Sequence, residues 1–237
     1  MLKKHWVVLG LCVLASTAFA DNKSTLSSAA ATGAAVATSA PKSYDVLGGF
    51  AASGGQSLLR IGVGDPGLET TFLYGVTSKF NLGGLLALNW GEMGDFAIRF
   101  QIPLRFAFYN SGKLGVAAGF TPGIALFFGG GGTVVTIPLY LDLTTGYRIT
   151  DELTMMVGFE VPFEIWTKSK MGVIIPLVAA AGFEYHIASS AKLWYRIRSG
   201  YAFTAGGPEG GGAYEGGGGG LASISGLEMH VGVAFAF

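Results

Sequence analysis

The chain has 237 residues, enough for one ordinary domain or two small ones. Half of these residues are hydrophobic and only 13% are charged, far below the roughly 25% of soluble domains, while 39 glycines are about twice the usual share. This composition excludes a coiled coil, a helical bundle and a charged disordered chain. Because 15 basic and 15 acidic residues balance, we expect no nucleic-acid partner.

Residues 1–20 have the three parts of an export signal. Lys3 and Lys4 precede an apolar stretch at 6–14 and a small-x-small sequence at 18–20. We expect a signal peptide cleaved after Ala20, because the apolar stretch is too short to span a bilayer. The single cysteine, Cys12, lies in this segment, so the mature chain would have no disulfide, thiol nucleophile or cysteine-bound metal.

Residues 21–45 are rich in Ala, Ser and Thr and follow no hydrophobic period, which predicts a disordered periplasmic tail. The composition changes at residue 46, and we assign residues 46–237 to the folded domain. No window of about 18 residues in the mature chain is continuously apolar, so we expect no transmembrane helix.

The folded domain instead alternates with period two. A soluble sandwich has a polar outer face, whereas here one face is continuously apolar and the other mixes glycine, alanine and charge. That inverted pattern is typical of a transmembrane β-barrel, with lipid outside and a polar lumen. The clearest apolar rows are Phe96, Ile98, Phe100, Ile102, Leu104, Phe106 and Phe108, and Leu227, Met229, Val231, Val233, Phe235 and Phe237.

We therefore predict an all-β fold, an antiparallel up-and-down barrel of about ten strands. Eight or twelve strands remain alternatives, and residues 46–53 could add one more. The predicted strands are 56–64, 69–77, 80–90, 96–109, 113–127, 133–149, 153–166, 173–187, 192–203 and 226–237.

Short polar connections alternate with longer ones, as periplasmic turns alternate with extracellular loops. Three-residue turns are expected at 110–112, 150–152 and 189–191; the odd length of the first keeps the odd-numbered lumen residues, Tyr109 on one strand and Gly115 onward on the next, on the same face. The longest connection, 205–225, is glycine-rich and could cover the barrel mouth as a lid.

The signal, the alternation of turns and loops, and a last strand ending in Phe237 resemble the small outer-membrane β-barrel proteins of Gram-negative bacteria. The resemblance implies a multi-pass protein of the outer membrane, surrounded by its lipid. The terminal Phe237 resembles the signal that the barrel-assembly machinery reads, which implies this machinery as a partner during biogenesis. The resemblance implies no substrate.

The predicted register turns every arginine and several carboxylates into the lumen, while the lysines fall in the tail, turns, loops or, for Lys192, a strand end. Arginine suits buried pairing with carboxylates, so we expect these charges to pair across the lumen. The lumen charge network is Arg60, Arg99, Arg105, Asp142, Arg148, Glu160, Glu164, Glu184, Arg196, Arg198 and Glu228.

Three pairings follow from this register. Glu184 falls opposite Arg196, and Asp142 falls opposite Glu160. The small residues of 115–125 leave room for Arg99 or Arg105 to reach over to the Asp142 and Glu160 pair.

The residues favour no catalytic, cofactor or metal site. The two mature histidines, His186 and His230, each follow a glutamate by two residues, but the topology places them at opposite ends of the barrel.

Barrels of eight strands are filled by side chains and those of 16–18 hold channels, so ten lies near the filled end. The sequence thus favours a non-enzymatic outer-membrane barrel with a narrow or salt-bridged lumen, acting as an envelope scaffold or in a surface or motility assembly with envelope protein partners. The alternative is a small-solute diffusion channel.

Overall fold

The computed structural model describes residues 45–92, 95–129, 132–167, 172–206 and 220–237. The predicted signal peptide and all of the predicted tail except Asp45 lie outside these ranges. Among the described residues, no helix is long and apolar enough to cross a membrane.

The described chain forms one closed antiparallel sheet, because the last strand pairs with the first. The alternating segments found in the sequence are the strands of this sheet. They are β1 (Ser57–Asp65), β2 (Gly67–Gly75), β3 (Phe80–Glu92), β4 (Asp95–Gln101), β5 (Leu104–Asn110), β6 (Leu114–Gly129), β7 (Gly132–Arg148), β8 (Leu153–Trp166), β9 (Gly172–Ala188), β10 (Ala191–Gly206) and β11 (Gly220–Ala236).

Strands β4 and β5 share one position in the wall, since both pair with β3 on one side and β6 on the other. The predicted strand 96–109 is interrupted at Ile102 and Pro103, where proline lacks the N–H that a ladder needs. The Ile102 N–H instead donates to the Pro122 carbonyl at 2.8 Å. The barrel therefore has ten strand positions, as predicted, and residues 46–53 do not add another strand.

The exterior is apolar and the interior polar. Phe100 and Phe159 are 51% and 48% exposed, whereas the neighbouring Gln101 and Glu160 are 5% and 9% exposed. In lipid every backbone polar group must be paired within the protein, and a closed barrel does so while presenting apolar side chains outward. The predicted fold class is confirmed.

Two turns differ from the prediction and change local register. A bulge between Ala107 and Tyr109 places Tyr109 opposite Val116 and leaves its side chain 49% exposed, so Tyr109 does not face the lumen as predicted. Only Ser189 and Ser190 connect β9 to β10, and an irregularity after Ala191 follows. The predicted three-residue turn at 189–191 was therefore wrong.

The two ends of the barrel differ in their connections. At one end, here called the turn end, lie the short turns 76–79, 111–113, 149–152 and 189–190, together with Ser57 and Phe237. The connections at the opposite, loop end differ in length, from the single Pro66 between β1 and β2 to residues 207–219 between β10 and β11, so they are not uniformly longer as the sequence predicted. The predicted loop 205–225 is partly strand, since β10 continues to Gly206 and β11 begins at Gly220; residues 207–219 lie outside the described ranges.

Single cysteines test this register. We expect Phe100→Cys and Phe159→Cys to react with a lipid-phase thiol probe and to resist an aqueous one, because both side chains project from the wall into lipid. Gln101→Cys and Thr144→Cys should escape the lipid-phase probe. Lipid-phase labelling of Gln101→Cys would mean that β4 is slipped by one residue, since a one-residue slip exchanges the two faces.

Candidate functional site: the barrel lumen

Six charged side chains alternate in sign along the lumen wall, and we call them the charge ladder. Its order is Arg60, Glu69, Arg196, Glu160, Arg198 and Glu228. Arg60 contacts Glu69 and Arg198 contacts Glu228 directly. Between them, N···O distances of 3.6, 3.8 and 3.2 Å join Arg196 to Glu69, Arg196 to Glu160 and Arg198 to Glu160.

The ladder joins β1, β2, β8, β10 and β11 through side chains, because inward positions on neighbouring strands lie side by side. Each internal member has an opposite charge on both sides. A buried charge is tolerated only when it is paired, so this arrangement lets the narrow lumen hold many ionic groups.

Arg99 forms a second ionic group away from the ladder. Its Nη1 donates to Glu164 at 3.1 Å and to the Tyr140 hydroxyl at 2.8 Å, and its guanidinium lies 5.1 Å from the Phe127 ring centre. Thr136 also donates to Glu164.

The small side chain of Ala125, opposite Arg99 on β6, leaves room for this reach. The sequence correctly predicted that Arg99 crosses a strand of small residues, but it assigned the wrong carboxylates. Glu160 is occupied by Arg196 and Arg198, and Arg99 ends on Glu164 instead.

Residues 45–52, here called the plug, lie inside the lumen at the turn end and form no strand. Val46, Phe50 and Ala52 are at most 1% exposed. The plug contacts side chains or backbone of β1, β3, β5, β6, β7, β9 and β10, and so fills the cross-section there.

The barrel wall binds the backbone at both ends of the plug. Oε1 of Glu184 accepts the N–H groups of Val46 at 2.8 Å and Leu47 at 2.6 Å. Arg60 donates to the Val46 carbonyl at 3.1 Å. At the other end, Asn81 accepts the Ala52 N–H at 3.1 Å and donates to the Ala52 carbonyl at 3.3 Å.

The middle of the plug passes closely over β7. Gly48 and Gly49 have φ values of 134° and 90°, which favour glycine, and a Cβ on Gly49 would overlap the Gly146 amide. The Gly49 N–H donates to the Thr144 hydroxyl at 3.2 Å. The following Phe50 ring lies 4.0 Å from the Arg148 guanidinium carbon.

A buried ion triad sits beside the start of the plug. Nζ of Lys192 lies 2.8 Å from Glu184 and 3.6 Å from Asp45, and all three side chains are 1% exposed. Asp45 lies outside the membrane-spanning strands. Burial raises the pKa of its carboxyl well above the usual range, Glu184 raises it further, and Lys192 opposes both effects.

The other predicted lumen residues lie as follows. Glu184 faces Trp194 rather than Arg196, because the shorter turn and the irregularity after Ala191 each shift β10 by one position. Asp142 lies opposite Glu160, as the register predicts, and Gly119 separates Asp142 from Arg105. Nη1 of Arg105 is buried with no hydrogen-bond partner. Arg148 donates to the Gly112 carbonyl at 2.9 Å.

Three charged residues of the lumen were missed by the sequence analysis. Glu69 and Lys192 have inward parity with Thr71 and Trp194, a signal that the sequence carried. Asp45 belongs to the plug, which has no period that could reveal it.

Between the plug and the loop end lies a cavity of about 120 Å³, which is room for several water molecules. Leu47 of the plug, Arg105, Asp142 and every member of the charge ladder except Glu228 line it, with His230 on the wall. His186 lies near the turn end, opposite Lys192. Within the described ranges, no group of three or more histidine or acidic side chains is placed to hold a metal ion.

The closed wall, apolar exterior and charged lumen define a transmembrane β-barrel of the outer-membrane type. No protein-family model matches the sequence, and no curated protein matches it.

Solved structures share features of the barrel at low similarity. A KdgM porin in complex with disordered oligogalacturonate is 10% identical, with a TM-score of 0.44, over 77% of this chain and 99% of that chain. The outer membrane protease OmpT from Escherichia coli is 10% identical, with a TM-score of 0.38, over 77% and 92%. OprG from Pseudomonas aeruginosa is 15% identical, with a TM-score of 0.38, over 81% and 99%. Functional conclusions therefore depend on this chain's own residues.

Removing one partner of the Arg99 and Glu164 pair should be costly. We expect Arg99→Met to lower the free energy of unfolding in detergent by about 3–5 kcal/mol, because Glu164 keeps a buried charge without its cation. The double variant Arg99→Met/Glu164→Gln should recover most of this loss. Lys113→Met, on an exposed turn, is the control and should change stability by at most about 0.5 kcal/mol. An equally stable Arg99→Met would show that water solvates Glu164.

Proposed function

We propose that this chain is an integral outer-membrane barrel that acts without catalysis, as a scaffold of the cell envelope with its lumen closed. The observation that carries the proposal is the plug, whose backbone is bound by Glu184, Arg60 and Asn81 across the turn end. A conduit for solutes needs a continuous aqueous path, and the plug occupies that path.

The state of the lumen charges supports a structural role. The described lumen holds equal numbers of cationic and acidic side chains: Arg60, Arg99, Arg105, Arg148, Lys192, Arg196 and Arg198, and Asp45, Glu69, Asp142, Glu160, Glu164, Glu184 and Glu228. A catalytic carboxylate or histidine needs a substrate within hydrogen-bond reach, but most of these carboxylates already bind arginine or lysine. Paired charges of this kind fill a barrel and fix its shape.

The wall is then the surface that other molecules meet. We propose that its apolar exterior contacts outer-membrane lipid, and that its exposed ends contact proteins of a surface or motility assembly. We propose that the turn end faces the periplasm and the loop end faces the outside of the cell, because short turns of outer-membrane barrels are periplasmic.

Conductance tests the proposal directly. We expect the purified full chain in planar bilayers to give no stable open steps, because the plug occupies the lumen at the turn end. Liposomes containing it should not swell in isosmotic small sugars or amino acids. Stable conductance of the unmodified chain would contradict the closed lumen.

A small-solute channel is the second candidate, and one observation favours it. The obstruction is a segment outside the strands, and a polar cavity lies beyond it. At the turn end the space inside the wall is occupied by the plug and not by side chains of the wall alone.

Assembly provides a separate prediction. Phe237 is 73% exposed, and its N–H and carbonyl pair with Ser57 at 2.9 and 3.2 Å. We expect Phe237→Asp to reduce the folded, heat-modifiable barrel in the outer membrane, because a charge ends the lipid-facing row that the assembly machinery would read. Tyr109→Asp, exposed on another strand near the same end, is the control. Equal loss in both variants would mean that lipid insertion, not a terminal signal, is affected.

A further inference from the structure

We propose that the turn end of the lumen is a peptide-binding site whose ligand is the chain's own plug, and that the plug leaves and re-enters it while the barrel stays folded. The inference rests on the proposed closed lumen and goes beyond it, because it makes the closure reversible. The ligand is a peptide without helix or strand, in which the glycine pair Gly48 and Gly49 is followed by the aromatic Phe50.

The wall recognises this peptide as peptide sites generally do, through its backbone. One carboxylate, on Glu184, accepts two successive N–H groups, and one amide, on Asn81, pairs with both the N–H and the carbonyl of Ala52. Such contacts fix the path of a peptide and leave its selection to side chains.

Side-chain selection comes from small residues of the wall. Gly115 and Gly146 lie against the Phe50 ring, and Ala107 and Ala117 pack against Ala51. These positions form recesses that bulky lumen residues would fill. The recess at Gly115 and Gly146 holds the large Phe50 side chain, and the surface at Ala107 and Ala117 holds the small Ala51 side chain.

The glycine pair makes the site selective. Gly49 crosses Gly146 so closely that any side chain at position 49 would strike the backbone of β7. A peptide lacking this glycine therefore cannot seat its Val46 end and its Phe50 end at once.

The charged groups that hold the plug remain paired when it leaves. Glu184 keeps Lys192 at 2.8 Å, and Arg60 keeps Glu69 and Thr71. Arg148 keeps the Gly112 carbonyl at 2.9 Å. None of these three charges is left without a partner when the plug leaves. An unpaired buried charge would carry a large cost and would make closure permanent.

A turn at 53–56 joins the plug to β1 and serves as its tether. The Gln56 N–H donates to the Ser53 carbonyl at 3.0 Å, and the Gln56 side chain accepts the Ser53 N–H at 3.1 Å. A tethered ligand acts at an effective concentration on the order of millimolar, so modest contacts keep the site filled yet exchangeable.

The first experiment changes the plug in the full chain. We expect Gly49→Ala to displace the plug and to produce conductance in planar bilayers, with heat-modifiability retained. Gly84→Ala is the matched control, because a Cβ there meets nothing within 4 Å. A folded Gly49→Ala barrel that stays as closed as the Gly84→Ala barrel overturns the inference while leaving the proposed closed scaffold intact.

The second experiment refills the site. A synthetic peptide of residues 45–52, added at concentrations on the order of millimolar, should block the Gly49→Ala conductance. The same peptide carrying alanine at position 49 should not block it. Equal block by both peptides, or block by neither, overturns the binding site.

The third experiment does not depend on that variant folding. Ala51→Cys should react slowly with an aqueous thiol reagent in the folded barrel, because the plug exposes it on leaving. Ala51→Cys/Ala117→Cys should form a disulfide on oxidation and lose that reactivity until it is reduced, since the two side chains pack together. Absence of labelling of Ala51→Cys, or failure of the disulfide to form, overturns the proposal.

Discussion

The pairing of the last strand with the first is the interaction on which the rest of the structure depends. Ser57 and Phe237 exchange two backbone hydrogen bonds, and β1 then follows β11 to the pairing of Asp65 with Met229. Lipid offers no partner to an open strand edge, so a sheet can lie in a membrane only when it is closed. Closure also decides which face of every strand meets lipid.

Closure at ten positions creates a narrow lumen into which every inward side chain must fit. Bulk on one strand is therefore balanced by small residues on another, as with Arg99 over Ala125 and Arg105 beside Gly119. The polar requirement is met in the same way. Charges that would be costly alone are placed in alternating order, so that Glu69 and Glu160 each lie between two arginines.

Period-two alternation predicted most of this arrangement, because it assigns each side chain to lipid or lumen without knowledge of its neighbours. It placed Arg60, Arg196 and Glu160 in the lumen, but which charges touch depends on turn lengths. One residue fewer in the turn at 189–190, with the irregularity after it, separated Glu184 from Arg196 and made Lys192 its partner. The plug follows no period, so alternation could not assign its residues to the lumen.

The wall and the plug are stabilised by different sets of interactions, although they share residues. Strand pairing and the charge ladder hold the wall, and neither needs residues 45–52. Glu184 uses Oε2 for Lys192 and Oε1 for the plug, so one carboxylate serves both without a change of partner in the wall. A lumen closed by a separate segment can thus change its state without unfolding the barrel, whereas a lumen closed by wall side chains alone would have to break the ion pairs that hold it together.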